Sequence, residues 1–542
     1  MASQAPSEAI PTTIPQLLER AVVLWPQANA IEDGETTLSF SALRSSVEEA
    51  ARALISLGVQ HGDRVAIWAP NCWEWVVAGL ATHSVGASIV PLNTRYRGTE
   101  AAFILEKSRA KVLFTVEGFL KTSYVSMLRQ AAGGATEAQP VATLPNLSAI
   151  VVMRGSESPE ATLSWGDFTA KSAGAAPVEA EQRAHAVCAD DISDILFTSG
   201  TTGVPKGVMT THAQNIRVFS SWSEIVGLRA GDRYLIVNPF FHAFGYKAGW
   251  LACLIRGATI LPEPVFEVET ICRRIEADRV TVLPGPPAIF QSMLTSPSRD
   301  TRDLSSLRLV VTGAASIPVV LIERMMNDLK IETVLTAYGL TESCGVATMC
   351  RQGDSAEIIA TTSGRAIDGV EVRIVDAQGE EVARGETGEI VVRGYNVMRG
   401  YFEEDERTAE AVTPDGWLLT GDIGVMDAQG NIRITDRMKD MFIVGGFNAY
   451  PAEIEGLLAR HSAIAASAVI GAPDPRLGEV GVAFVVLQAG AQATQDELIA
   501  WSRENMANYK VPRRFIFVDE LPRNASGKVL KFELRDLLHK GA

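Results

Sequence analysis

The chain has 542 residues, 47% of them apolar, and its 64 Asp and Glu outnumber its 49 Lys and Arg to give a formal charge of −15. The length exceeds one ordinary core and implies several domain-sized units, and the apolar content excludes a disordered chain. The acidic balance argues against a general nucleic-acid or anionic-membrane surface, although a local basic patch could still grip a phosphorylated ligand.

The N-terminal stretch MASQAPSEAIPTTIPQ has neither a basic n-region nor an apolar h-region, so a cytoplasmic protein is expected. Ile14 to Val23 then reads as a helix. The most apolar long stretch, Trp75 to Leu92, carries His83, Ser84 and Ser88 and is broken by Gly79 and Gly86. It reads as a buried helix followed by a strand, with no membrane span. Up to about Val370, helical and strand patterns alternate as in layered α/β architecture, with buried strands at Arg64–Trp68, Val280–Leu283 and Leu307–Val311. Segments 132–145 and 155–181, rich in Ala, Gly, Ser and Glu, read as surface excursions.

From about 370 to 435 the texture changes to short strands separated by turn signals such as Asp376-Ala-Gln-Gly and Asp427-Ala-Gln-Gly, which predicts a small antiparallel barrel. The last hundred residues restart an independent α+β pattern. Strands are expected near 441–444, 466–470, 481–487 and 515–518, and helices near 452–460, 495–506 and 531–539. The helix after Pro451 has Pro in its first turn, Glu453 and Glu455 at its positive end, and Ile454, Leu457 and Leu458 on one face. The expected organisation is a large domain over 1–436 and a small one over 437–542. The six cysteines (Cys72, Cys188, Cys253, Cys272, Cys344 and Cys350) form no C-x-x-C pair and have no histidine at zinc-finger spacing, so buried free thiols are expected.

The densest chemistry lies in Thr198-Ser199-Gly200-Thr201-Thr202-Gly203-Val204-Pro205-Lys206-Gly207, after the strand-like Ile192 to Phe197. Glycines let backbone N–H groups turn toward a ligand, hydroxyls add donors and a lysine supplies a point charge, which together make a polyphosphate cradle. A Walker loop requires glycine before its lysine and Ser or Thr after it; here Pro205 and Gly207 flank Lys206. Because Val208 to Thr211 is again strand-like, the loop is expected to join two strands.

Six further motifs follow in order. They are Asn238-Pro-Phe-Phe-His242-Ala243-Phe-Gly245, Gly313-Ala314-Ala315, Tyr338-Gly339-Leu-Thr341-Glu342, Trp417-Leu-Leu-Thr-Gly-Asp422, Asp436-Arg437-Met-Lys439-Asp440 with Gly445-Gly446, and Pro522-Arg-Asn-Ala-Ser-Gly-Lys528. Together with the cradle they resemble the adenylate-forming superfamily of acyl-CoA synthetases, peptide-synthetase adenylation domains and luciferases, over nearly the whole chain.

That resemblance implies ATP, Mg²⁺ and coenzyme A as cofactors and a small carboxylic acid as substrate, with no nucleic-acid partner; a homodimer is left open. Thr198, Ser199, Gly200, Thr201, Thr202, Gly203 and Lys206 would hold the β- and γ-phosphates. Thr341 would bind the α-phosphate, and Glu342, with Thr201, the metal. Gly313, Ala314 and Ala315 would wall the adenine beside Tyr338 and Gly339, with strand-end packing as the plainer reading. Asp422 would accept the ribose hydroxyls and Arg437 would reach ribose or phosphate. Lys528 is the implied catalytic lysine, entering from the small domain during adenylation and withdrawn when that domain turns about Lys439. Gly445 and Gly446 either line the thiol passage for CoA or form a plain β-turn. His242 is either a satisfied core histidine or the gate between acyl pocket and thiol tunnel.

The implied acyl pocket draws on His242, Ala243, Tyr246, Lys247, Ala248, Pro286 and Ala337, a mixture that suits a bulky acid with some oxygen functionality. Phe241-His242-Ala243 stands where peptide-synthetase domains carry their amino-binding aspartate, which disfavours an amino acid. The strings FFHAFGYKAG, VLPGPPAIFQSML and VVTGAASIPVVLIERM resemble those of bacterial ligases that activate the bicyclic propionate of sterol ring degradation. A medium-chain or aromatic acid is the alternative. A luciferase-like oxygenase would share the motifs and be told apart by light emission, and a non-catalytic homologue would be expected to lose Lys528, Glu342 or the cradle.

Overall fold

The computed structural model describes residues 10–136, 139–155, 159–198, 205–313, 317–437, 440–444, 447–475, 477–506, 508–523 and 529–539. The first helix, Ile14–Leu24, starts where expected: Thr13 caps it by accepting from the Gln16 amide, Pro15 occupies its first turn, and Ile14, Leu17, Leu18 and Ala21 are buried on one side. Trp73–Ser84 is buried along nearly its whole circumference and runs into the buried strand Ser88–Pro91. No described helix is long and apolar enough to cross a membrane.

The architecture is α/β in the large N-terminal region. An eight-stranded sheet has the order Gly400–Tyr401, Lys206–Thr211, Ile192–Thr198, Ser88–Pro91, Arg64–Trp68, Val112–Val116, Ala149–Arg154 and Leu163–Ser164. It is parallel from Ile192–Thr198 through Leu163–Ser164 and antiparallel at the other edge. Parallel strands covered on both faces read as continuous apolar runs, which is why Arg64–Trp68 and Val112–Val116 were legible. Two further four-stranded sheets are joined through single bridges at Val282, which pairs with Tyr234 on one side and Leu309 on the other.

Where a small antiparallel barrel is expected, Val370–Val375, Thr387–Gly394, Leu418–Met426 and Ile432–Arg437 form an antiparallel sheet of four strands, a half-barrel. Beyond it, Phe447–Ala449, Phe442–Val444, Gly478–Leu487, Ile464–Asp474 and Arg514–Phe517 build a five-stranded sheet with helices Pro451–Leu458, Gln495–Asn505 and Lys531–His539. The main buried cluster runs from Ile14 to Ile432, while separate clusters draw on Phe442 to Phe515 and Ala468 to Leu534.

Three expectations are corrected. Val280–Leu283 contributes only the bridges at Val282, because Pro284-Gly285-Pro286-Pro287 follows at once and proline has no N–H for a ladder. Segment 155–181 includes the helix Trp165–Ala170, with a Ser164/Asp167 capping box and a fully buried Phe168, and the start of the helix Pro177–Ala186. These short helices lack a broad apolar stripe, so composition hid them. Cys188 is exposed, unlike the other five thiols.

Candidate active site

The strands Ile192–Thr198 and Lys206–Thr211 are antiparallel, with Thr198 opposite Lys206 and Asp194 opposite Thr210. The glycine loop therefore joins two strands. Its residues Ser199, Gly200, Thr201, Thr202 and Gly203 lie outside the described residues, as do Ala314, Ala315, Lys439, Gly445, Gly446 and Lys528, and the side chain of Arg437.

Where this hairpin meets its glycine loop, at the Thr198–Lys206 pair, the structure gathers Lys206, Glu342 and Tyr401. Lys206 Nζ stands 4.7 Å from the centroid of the Tyr401 ring, and the Tyr401 hydroxyl donates to Glu342 Oε1 at 3.0 Å. Burial first, then the Glu342 carboxylate, pushes the Tyr401 hydroxyl pKa well up, so it remains a donor. Glu342 sits in the 3₁₀ turn Thr341–Ser343. That turn is held close: the Gly345 amide donates to the Leu340 carbonyl at 2.8 Å. A Cβ on Gly339 would lie 2.4 Å from the Gly345 carbonyl oxygen, so only glycine fits there.

Glu342 suits a hard divalent cation. Tyr401 fixes one carboxylate oxygen, and magnesium typically takes one or two carboxylates and completes its shell with water and phosphate oxygens. Among the described residues no group of three or more His, Cys, Asp or Glu could hold a metal unaided.

A second cluster forms where the Tyr338 strand faces the half-barrel. The Tyr338 hydroxyl donates to Asp422 Oδ2 at 2.7 Å, and Asp422 is only 3% exposed. Asp422 stands opposite Arg437 in strand register. Nearby, the Gly421 amide donates to Glu389 Oε1 at 2.9 Å, and burial raises the Glu389 carboxyl pKa, with Asp422 adding to the rise. Gly313 ends the strand Leu309–Thr312 beside the Ala337 carbonyl, 3.3 Å from the place its Cβ would take.

The Asn238–Gly245 segment is pinned by Asn71. Its Nδ2 donates to the carbonyls of Ile236, Asn238 and Glu263 at 2.9, 3.0 and 3.2 Å, and its Oδ1 accepts from the Phe240 amide at 2.7 Å. Gly245 has no room for a side chain, since a Cβ would meet the Asn238 and Pro239 carbonyl oxygens at 2.2 Å. His242 Nδ1 accepts from the Phe244 amide at 3.2 Å, which leaves Nε2 to carry the ring proton. The His242 side chain is solvent-accessible. Desolvation by neighbouring protein, and then the Lys247 ammonium, lowers its pKa.

Of the expected acyl-pocket residues, Ala243 and Ala248 are buried and Pro286 and Ala337 half-buried. Tyr246 and Lys247 belong to the sealed interior, each with no exposed surface. Lys247 Nζ pairs with Asp194 Oδ1 at 2.9 Å and donates to Thr210 Oγ1 at 2.8 Å. Asp194 also accepts from Thr210 Oγ1, Ser193 Oγ and Asn215 Nδ2 at 2.8, 2.9 and 2.6 Å. The Cys344 thiol donates to Asn215 Oδ1 at 3.0 Å, and burial pushes its pKa up to about 11. Tyr246 Oη meets His83 Nε2 at 3.2 Å, and its ring stacks on Trp250 with centroids 4.7 Å apart.

Sequence reasoning missed Tyr401, Asp194 and Asn71. A lone Asp inside the apolar strand Ile192–Phe197 was the one readable signal, because a buried charge needs a partner.

The pattern of the family described as AMP-binding enzyme matches residues 18–402, and that of the AMP-binding enzyme C-terminal domain matches residues 453–528. Two relatives carry the name 3-[(3aS,4S,7aS)-7a-methyl-1,5-dioxo-octahydro-1H-inden-4-yl]propanoyl:CoA ligase. The one from Mycobacterium tuberculosis is 51% identical over 97% of this chain and 99% of its own length. The one from Rhodococcus jostii is 48% identical over the same shares. Among solved structures, the anthranilate CoA ligase AuaEII in complex with anthranoyl-AMP superposes with a TM-score of 0.85 at 27% identity, covering 98% of this chain and 99% of that one.

Proposed function

This chain belongs to the family of AMP-binding enzymes, and from that premise we propose that it joins a bulky bicyclic propionate bearing ring ketones to coenzyme A at the expense of ATP. The observation that carries the substrate is the pair of relatives at 48% and 51% identity, from two organisms, both named for that acid.

In the first half-reaction the substrate carboxylate attacks the α-phosphorus of ATP and pyrophosphate leaves. In the second, a thiolate attacks the acyl carbon and AMP leaves. The physical obstacle is an anion approaching a polyanion, which preorganised donors and cations overcome. On this reading the cradle Thr198 to Gly203 and Lys206 bind the β- and γ-phosphates, and Thr341 binds the α-phosphate. Asp422, oriented by Tyr338, takes the ribose hydroxyls, with Arg437 beside it and Gly313 to Ala315 and Gly339 against the adenine. Glu342 and Thr201 would hold Mg²⁺, which supplies charge neutralisation to the phosphates when bound. Lys528 bridges carboxylate and phosphate. A turn of the 437–542 domain about Lys439 then withdraws it and opens the Gly445-Gly446 passage to the thiol.

A neutral His242, with Ala243, Ala248, Pro286 and Ala337, would line the acyl side. Tyr246 and Lys247 would stand behind that wall. The same reading places the reaction in the cytoplasm, and sedimentation of the purified chain tests whether it works as a homodimer. A panel of bicyclic, medium-chain and aromatic acids, assayed for AMP and pyrophosphate release with and without CoA and with products weighed by mass spectrometry, tests the proposal. A bicyclic diketo-propionyl-CoA as the preferred product supports it, and preference for a medium-chain or aromatic acid overturns the substrate.

A further inference from the structure

We propose that Tyr401 is a positioning residue for adenylation: its hydroxyl fixes the Glu342 carboxylate while its ring face holds the Lys206 ammonium, so that one side chain sets the spacing of two charges that meet ATP. The inference rests on the phosphate and metal roles proposed above for Lys206 and Glu342.

Backbone and side chain point the same way. Gly400–Tyr401 is the edge strand beside Lys206–Thr211, with Gly400 opposite Met209 and Tyr401 opposite Val208. The Phe402 amide donates to the Gly207 carbonyl at 2.7 Å and the Arg399 amide to the Met209 carbonyl at 3.0 Å. Three residues before Tyr401, the Met398 amide donates to the carbonyl of Glu342 itself at 2.8 Å. The short segment Met398–Phe402 is thus stitched at one end to Glu342 and at the other to the residue after Lys206. Tyr401 is held in its turn, since its amide donates to Thr408 Oγ1 at 2.9 Å.

The side chain does more than fill space. Tyr401 packs with Val208 and Met398 and is 5% exposed, a role that a phenylalanine would serve equally. The hydroxyl is superfluous to that packing, yet it donates to Glu342 Oε1 at 3.0 Å. A carboxylate accepts at both oxygens, so fixing Oε1 orients Oε2 for a cation. The ring face attracts the Lys206 ammonium, which stands 4.7 Å from its centroid. Without this hub, Glu342 and Lys206 would each sample several rotamers, and the two could pair with each other instead of with phosphate and metal.

Partners of metal-binding side chains typically contribute about 10- to 100-fold in metal affinity, and a cation–π contact about two- to thirtyfold in the affinity it supports. The test uses the full chain, with calorimetric titration of ATP in EDTA and over a series of Mg²⁺ concentrations, and with the thermal midpoint recorded for each variant. Tyr401→Phe is expected to raise the Mg²⁺ needed for half-maximal ATP binding by about tenfold or more, while ATP binding in EDTA and the thermal midpoint stay at parental values. Tyr401→Leu is expected to weaken ATP binding in EDTA as well, by about two- to thirtyfold.

A Tyr401→Phe chain with parental Mg²⁺ dependence overturns the proposal. So does a loss in both variants that merely tracks a fall in thermal midpoint. If Tyr401→Leu does not fold, the phenylalanine variant decides alone. Glu342→Gln is titrated alongside. If it shifts the Mg²⁺ dependence and Tyr401→Phe does not, the Tyr401 role fails while the metal role of Glu342 stands. If Glu342→Gln shifts nothing, the metal role fails and the Tyr401 role falls with it.

Discussion

Two lysines meet the same strand hairpin in opposite surroundings. Lys247 reaches Asp194 and Thr210, a register pair in its body, and neither Lys247 nor Asp194 has any exposed surface. Lys206 opens the returning strand, is half-buried, and among the described residues meets a tyrosine ring and no carboxylate. The first lysine is saturated by protein: Asp194, Thr210, Asn215 and Cys344 answer one another, and the charge has nothing left to offer a ligand. The second is held by a contact that a phosphate can replace. Burial with full pairing makes a scaffold, whereas partial exposure with a soft partner leaves a charge for chemistry. The difference lies about four residues along one hairpin.

Cutting the sealed pair tests that contrast most severely. Lys247→Met leaves Asp194 buried and unpaired and is expected to cost about 3–5 kcal/mol. In urea unfolding, the added Asp194→Asn change should restore part of that loss; a Lys247→Met chain as stable as the parent would show that Lys247 is no scaffold. For the proposed chemistry itself, Lys528→Ala is expected to slow pyrophosphate release about 10²- to 10³-fold while sparing thioester formation from supplied acyl-adenylate. Equal loss in both half-reactions would remove Lys528 from the role proposed for it. Asp422→Asn keeps shape and drops charge, and is expected to weaken AMP binding about 10- to 100-fold, on the scale of a charged hydrogen bond. Unchanged binding by calorimetry would free Asp422 from the ribose.

The gentlest probe is pH. Burial holds His83 and His212 down to about 3, with Lys247 adding to the effect on His83 and His83 to that on His212. Between pH 6.5 and 3 the unfolded chain binds protons at these side chains that the folded chain refuses. Their contribution to stability is therefore complete above about 6.5 and is lost as the pH falls through that window. His83→Gln should flatten the dependence of the urea midpoint on pH, and an unaltered slope would mean that His83 is not held neutral.

Local order was legible wherever a short run carried its own physics. The glycine loop between two apolar strands, the turn-punctuated half-barrel and the Pro-started helix Pro451–Leu458 all follow from spacing within a few residues of each other. Trp165–Ala170 and Pro177–Ala186 were not legible, because capping by Ser164 and packing supplied by the rest of the fold make them helical where composition reads as loop. Tyr338 and Asp422 were both singled out from their motifs. That the hydroxyl of one would orient the carboxylate of the other, 84 residues away, was not.

The sequence by itself determined the class of chemistry and the residues offered to it, because motif spacing is a property of one chain segment at a time. Which of those residues face a ligand and which face the core was decided only by tertiary structure. Tyr246 and Lys247 directly follow the motif that holds His242, yet they turn into a closed interior while His242 meets solvent. Tyr401 lies outside every motif and joins Glu342 to Lys206. The physical reason is that hydrogen bonds and ion pairs act over about 3–4 Å, and only folding brings residues from distant segments that close.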